Sequence, residues 1–232
     1  NGIPFFTDTT NNSMYTHDVS GTDDTAQNNT AYGFTALEDI TTGDSNVAIG
    51  YRAGLNINTG QQNTLVGQDA GRSLTSGLYN VAIGYEALYS EDTHGYNVAI
   101  GRRALKSLNA GANAFNVAVG YEAGKVISTG VQNTIVGGLA GDALTTGSYN
   151  TAFGYLALSN EDDHGQNVAV GTFALANQNA GANALNVAVG YNAGTSISTG
   201  IQNTIMGGFA GDALTTGAEN VAIGAYALST SI

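Results

Sequence analysis

The chain has 232 residues, among them 33 Gly, one Pro and no Cys or Trp, and its 6 basic and 18 acidic side chains leave a formal net charge of −12. That charge excludes nucleic acid as a partner and disfavours anionic membranes, because phosphates need a Lys/Arg surface to displace their counterions. With no Cys there is no disulfide framework and no thiolate metal site, and no apolar stretch is long enough for membrane insertion.

Only 10% of residues are charged, a composition that would read as low-complexity disorder if the residues were not regularly spaced. Residues 1–28 read as an N-terminal cap, containing Pro4, Phe5 and Phe6, followed by a degenerate first turn. Asn12 lies 17 before Asn29, but NSMYT lacks the Gly that ends later words. From 29 to 232 one word recurs: NVAIG or NVAVG begins at 46, 80, 97, 116, 167, 186 and 220, with looser forms at 29, 63, 133, 150 and 203. The step is 17 except for two steps of 19, and the text after 46, 116 and 186 also matches (GYRAGLNINTGQQ, GYEAGKVISTGVQ, GYNAGTSISTGIQ). These words are 70 apart, so a four-turn block has been duplicated. A period this short suits one turn of a β-solenoid, not a helical hairpin. The expected fold is all-β, a parallel β-solenoid with 17–19 residues per turn.

The word itself reads as a strand. Val47 and Ile49 share one face and Ala48 takes the other, so both faces are apolar. A solenoid strand with one wet face would alternate apolar with polar, so the second face needs a cover, and self-association is expected. Ala82 and Ala118 are the positions where a charge tests that interface. Gly after each strand (Gly50, Gly67, Gly84) and at the far corner (Gly60, Gly77, Gly130) answers a need for φ > 0 or for space. Ala at the eighth position allows close backbone approach, and Leu or Ile at the twelfth (Ile57, Leu74, Ile127, Leu144) gives a second inward anchor. Asn at the first position, stacked at a rung spacing of about 4.8 Å, can form an amide ladder.

Three features could carry chemistry. Tyr51, Tyr85, Tyr121, Tyr155 and Tyr191 occupy the sixth position on most alternate turns, a stripe that could stack on sugar rings or simply cover loops. The acidic corner SEDTHG at 90–95 returns as NEDDHG at 160–165. There His94, Glu91 and Asp92, and again His164, Glu161, Asp162 and Asp163, could offer nitrogen and oxygen ligands to a divalent cation or form a solvated loop. Hydroxyl pairs such as Thr75-Ser76, Thr145-Thr146 and Thr215-Thr216 raise an ice-binding reading, but EDTH and NAGANA interrupt the row. No nucleophile–base spacing, phosphate loop or opposed carboxylate pair is present, so no enzyme chemistry and no cofactor are expected.

NVAIGYEAL and NVAVGYEAG resemble the head repeats of YadA-like trimeric adhesins, and NTAFGYLAL is similar to repeats of phage and virus tail fibres. The resemblance covers residues 29–232 and implies a left-handed parallel β-roll, a homotrimer, and attachment to a surface or host. These turns, at 17 and 19 residues, are longer than the family repeat. The implied role is a shaft or head segment of an extracellular, cell-surface or virion-tail fibre that spaces or presents a host-binding tip to a glycan or protein receptor. The alternatives are direct glycan binding by the Tyr stripe and a head-to-tail filament subunit. Because ALSTSI stops before its corner Gly, a following C-terminal domain or a stacked molecule is expected there.

Overall fold

The computed structural model describes residues 6–8, 10–16 and 25–229. The described residues are all-β, without a helix, and the chain divides into two compact units, 1–115 and 116–232.

Each unit is a parallel β-solenoid with one three-residue strand per turn. In the first, Thr30–Tyr32, Val47–Ile49, Thr64–Val66, Val81–Ile83 and Val98–Ile100 stack in order. The register follows the repeat, with Val47 opposite Thr64, Ala48 opposite Leu65 and Ile49 opposite Val66. In the second, seven strands from Val117–Val119 to Val221–Ile223 stack likewise. Val168 pairs with Val187 across a 19-residue step, so the far corner absorbs the two extra residues and strand register is kept.

At the N-terminal end Phe6–Asp8 runs antiparallel to Ser13–Tyr15, and Met14 pairs with Thr30. Ser13, not Asn12, starts the polar ladder, because its Oγ accepts the Asn29 N–H at 3.0 Å. Pro4 and Phe5 lie outside the described residues, as do residues 230–232 of ALSTSI.

The middle residue of each strand faces inward. Ala48, Leu65, Ala82, Ala99, Ala118 and Ile135 are fully buried, as are the eighth-position alanines from Ala36 to Ala210 and Ile57, Leu74, Ile127 and Leu144 at the twelfth. The first and third strand residues face out. This corrects one expectation: Ala82 and Ala118 belong to the coil's own core, so a charge there would attack folding before assembly. The core is thin, and neighbouring turns share its volume. A Cβ on Gly54 would come within 2.7 Å of Leu65 Cδ1 and 3.0 Å of Leu37 Cδ2, so the large residues of adjacent rungs already fill that space.

Strands supply only three residues per turn, and the remaining backbone must also be satisfied. Left-handed residues at the seventh and ninth positions, and just before each Asn, do much of this. Asp69 (φ 57), Leu88 (φ 50) and Gln62 (φ 56) are examples. Each points its N–H along the stacking direction: Asp69 to the Tyr51 carbonyl at 2.9 Å, Leu88 to Ala104 at 3.0 Å, Gln62 to Asp44 at 2.9 Å. Of the residues in these three columns from 28 to 228, only Thr35 is β-branched, as expected where φ is positive. The strand-ending glycines are more constrained: Gly67 has φ +130, and a Cβ there would lie 2.6 Å from the Gly84 carbonyl oxygen.

The Asn ladder forms as expected. Asn63 donates its N–H to Asn46 Oδ1 at 3.1 Å, while its Nδ2 reaches the same oxygen at 3.0 Å and the corner Gly77 carbonyl at 2.8 Å. In turn, Asn63 Oδ1 accepts from Asn80 N–H and Nδ2 at 2.9 and 3.2 Å. One side chain therefore joins three rungs and closes its own turn.

Asn63→Ala should cost about 3 kcal/mol, because it strands several buried donors and acceptors at once. A thermal melt that shows less than half that loss would contradict the ladder's role. At Gln62, which is exposed and left-handed, Val should destabilise by about 1–2 kcal/mol, whereas Gly should be tolerated. Equal midpoints for the two variants would argue against the left-handed corner.

Candidate functional site

The acidic corners differ from the solvated loop that their composition suggests. Glu91 and Glu161 fall at the twelfth position, where other turns place Leu or Ile, and both are 0% exposed. Asp92 with His94, and Asp162 with His164, stand half-buried above them, and in each corner the three groups offer ligand atoms within 4.8 Å of one another. His94 Nδ1 lies 3.6 Å from Glu91 Oε1, and His164 Nδ1 lies 3.7 Å from Glu161 Oε1. Burial pushes both glutamates above the ordinary carboxylate range, against the opposing pull of nearby backbone N–H groups and the histidines. Glu91 Oε1 accepts the His94 N–H at 3.2 Å, but Glu91 Oε2 meets no donor. At the second corner the backbone N–H groups favour the charged form without reaching hydrogen-bond geometry, and both Glu161 oxygens lack a donor.

The loop carrying these groups is fixed by the preceding turn and by the Asn that starts its own turn. Asp92 O accepts the Thr75 N–H at 2.6 Å and His94 O accepts Asn80 Nδ2 at 3.2 Å. The second copy repeats this with Thr145 to Asp162 O at 2.7 Å and Asn150 Nδ2 to His164 O at 3.2 Å. Asp163 turns away from its corner and accepts hydroxyls from Thr145 and Thr146.

The Tyr stripe is at the surface, with Tyr51, Tyr85, Tyr121, Tyr155 and Tyr191 all exposed. Residues of the seventh position, which sequence reasoning missed, interleave with it. In the first unit they are charged from Arg52 onward: the Arg52 guanidinium lies 4.4 Å from the Tyr51 ring centre, and Arg103 lies 5.9 Å from Tyr85, with Arg102 of the sixth position at 5.7 Å. Asp69 sits between Arg52 and Arg72 at 3.3 and 3.7 Å. Glu86 takes Arg103 Nε at 2.8 Å and Lys106 Nζ at 2.7 Å. In the second unit Phe173, Phe209 and Tyr226 of the seventh position interleave with Tyr155 and Tyr191 of the sixth in an aromatic run with centroids 5.2–6.3 Å apart. Another column stacks Tyr79, Tyr96 and Phe115 at 5.0 Å steps. Their spacing, one residue before each Asn, was the signal that could have found them.

The corner hydroxyls are used internally. Thr75 Oγ1 donates to Asp92 O and Ser128 Oγ to Thr145 O, both at 3.1 Å, and Ser198 Oγ donates to Thr215 O at 3.2 Å. An ice lattice would find those donors engaged. The outward strand residues form the remaining surface, with Ile49, Ile83, Phe153 and Met206 exposed. Among the described residues no helix is long and apolar enough to cross a membrane. No family model matches the chain, and no curated protein or solved structure matches it.

Glu86 provides a pH test. Partial burial opposes its ionisation, but hydrogen bonds from Lys106, Arg103 and Tyr85 outweigh it and hold the carboxyl down at about 2, against an ordinary 4.5. A depressed folded-state value stabilises above the unfolded value and is lost as pH falls through the folded one. The stability advantage of wild type over Glu86→Gln should therefore be full above about pH 4.5 and gone near pH 2. Denaturant midpoints across that window decide it, and a difference independent of pH would contradict the assignment.

Proposed function

We propose that this chain is a shaft or head segment of a trimeric adhesion fibre, outside the cell or on a virion tail, that spaces or presents a host-binding tip. Its contribution is mechanical, and it catalyses nothing. The observation that carries this reading is the outward face of the strands. Position four of the repeated word places Tyr32, Ile49, Val66, Ile83 and Ile100 on successive rungs of the first unit and an unbroken row from Val119 to Ile223, with Phe153 and Met206, on the second, partly or fully exposed, while position two adds Val on seven turns and Thr on five. A continuous apolar stripe of this kind exceeds what a monomer ordinarily leaves in water, and identical copies are its natural cover. Three copies is the number that the adhesin-head resemblance implies. A repeat in which each turn bonds only to its neighbours can be lengthened by duplication, which suits a spacer.

Direct glycan binding through Tyr51, Tyr85, Tyr121, Tyr155 and Tyr191 is less well supported. Sugars stack on ring faces, and several of these rings already carry an aromatic or cationic partner.

Light scattering on the purified chain should report three copies. Glutamate at both Ile83 and Phe153, which are exposed in the chain, should reduce the mass to one copy while leaving the far-ultraviolet dichroism unchanged. A wild-type monomer would refute the fibre reading, and hits on a glycan array would favour the second one.

A further inference from the structure

The twelfth position of the turn is a core position. Ile57, Leu74, Ile127 and Leu144 fill it and are fully buried. Glu91 and Glu161 take the same place in corners 70 residues apart, with the same Asp and His one and three residues later. Leaving a carboxylate there without a partner costs several kcal/mol, roughly what breaking a buried ion pair costs. Among the described residues no Lys or Arg pairs with either glutamate; each has one imidazole nearby, with Nδ1 at 3.6 or 3.7 Å and beyond hydrogen-bond reach, and Glu91 Oε1 has the His94 backbone N–H at 3.2 Å. Glu91 Oε2, both Glu161 oxygens and His164 Nδ1 are buried polar atoms with no donor or acceptor.

We propose that each corner binds a divalent first-row transition cation of the zinc type, held by Glu91, Asp92 and His94 in the first unit and by Glu161, Asp162 and His164 in the second. The ligand set decides the class. An imidazole with two carboxylates suits zinc and its neighbours, whereas calcium and magnesium take oxygen-only sets. The ligand atoms, within 4.8 Å of one another, must close to the roughly 3.3 Å that metal bonds near 2.1 Å require. Asp and His at the half-open rim can make that movement above a fixed Glu, and the opening gives the ion a route in. The corner backbone does not need to move. A Cβ at Gly95 would lie 1.9 Å from Leu78 O, and one at Gly165 would lie 1.8 Å from Ser148 O, so the loop is packed hard against the preceding turn. The corners differ in one respect. Thr93 Oγ1 lies 3.0 Å from His94 Nδ1 and competes for it, whereas His164 Nδ1 has no hydrogen-bond partner, so the second corner should bind more tightly. The bound ion would neutralise the buried acid and tie the corner together, whether or not the chain serves in a fibre.

Calorimetry of the chelator-stripped chain with zinc chloride, alongside calcium and magnesium chloride, tests this. Two equivalents of zinc should bind per chain, and at a hundredfold excess over both Kd values the melting temperature should rise by about 10–20 °C. E161Q should remove the tighter equivalent, and E91Q/E161Q should remove both. Gln178 occupies the same position fully buried, so glutamine fits there and the double variant should melt no lower than metal-free wild type. Cobalt substitution should give a visible d–d spectrum that H164A alters. No saturable zinc binding in the micromolar range, two equivalents retained in the double variant, or equal stabilisation by calcium would each overturn the proposal. A single equivalent that disappears in E161Q would overturn it for the first corner.

Discussion

The fold depends on axial hydrogen bonding by the recurring Asn. A turn with a single three-residue strand has too few ladder bonds to fix its neighbour, and Asn adds a side-chain oxygen at the same height on each rung. In the first unit that oxygen takes both the N–H and the Nδ2 of the next Asn, and Nδ2 also ties the strand start to the far-corner Gly, as in Asn46 to Gly60 O at 2.8 Å. The second unit keeps the backbone half of this pattern from Asn133 through Asn220 and the Nδ2 half at Asn203 and Asn220. The 19-residue turn that starts at Asn167 lacks the far-corner tie, its Nδ2 reaching Gly165 O at 3.4 Å instead, and Val168 and Val187 still pair in register across it.

A coil this narrow decides what can lie inside it. The strand contributes one inward side chain per turn, usually Ala, the ninth position trades Leu against Gly from rung to rung, and the twelfth holds Leu or Ile on most turns. Large aromatic and charged residues are therefore placed outside, where identical positions recur at rung spacing and must be compatible with themselves. The seventh position shows two solutions. The first unit sets Asp69 and Glu86 between Arg52 and Arg103 and places cations over tyrosines, and the later turns of the second set Phe173 and Phe209 against the sixth-position tyrosines. Of the six basic residues only Arg52 and Arg103 belong to this column, and Arg72 and Lys106 reach its acids from the tenth position.

The parts of this arrangement that recur as letters were legible in the sequence. Asn at the first position, Ala at the eighth and Leu or Ile at the twelfth repeat with little change, and each lies where its spacing puts it. Two parts were not legible in that way. The word NVAIG is apolar on both faces, so alternation alone could not say that Ala48 is inside and Ile49 outside. The left-handed columns repeat a backbone conformation, and their letters vary from Arg52 to Asp69 to Phe173. The trace of that conformation is negative, a column almost without β-branched residues. Glu91 and Glu161 were read as corner residues because EDTH and EDDH look solvated, although counting from Asn80 and Asn150 puts both at the inward twelfth position.

Gln178 shows why those two acids stand apart. It occupies the same inward position and resolves its polarity within the protein, accepting Asn186 Nδ2 at 2.6 Å and donating Nε2 to Ser198 O at 3.3 Å. An amide can do both, because it carries a donor and an acceptor. An ionised carboxylate only accepts, so a Glu at this position loses the donor half of that arrangement and adds a charge. A natural sequence with local rules this consistent departs from them at sites with another purpose. Here the departure occurs twice, with the same neighbours, at a position where Leu, Ile and Gln all fit. The chain already contains the residues that would bury cleanly there, so a buried acid under an Asp and a His marks a place completed by a positive charge from outside the chain.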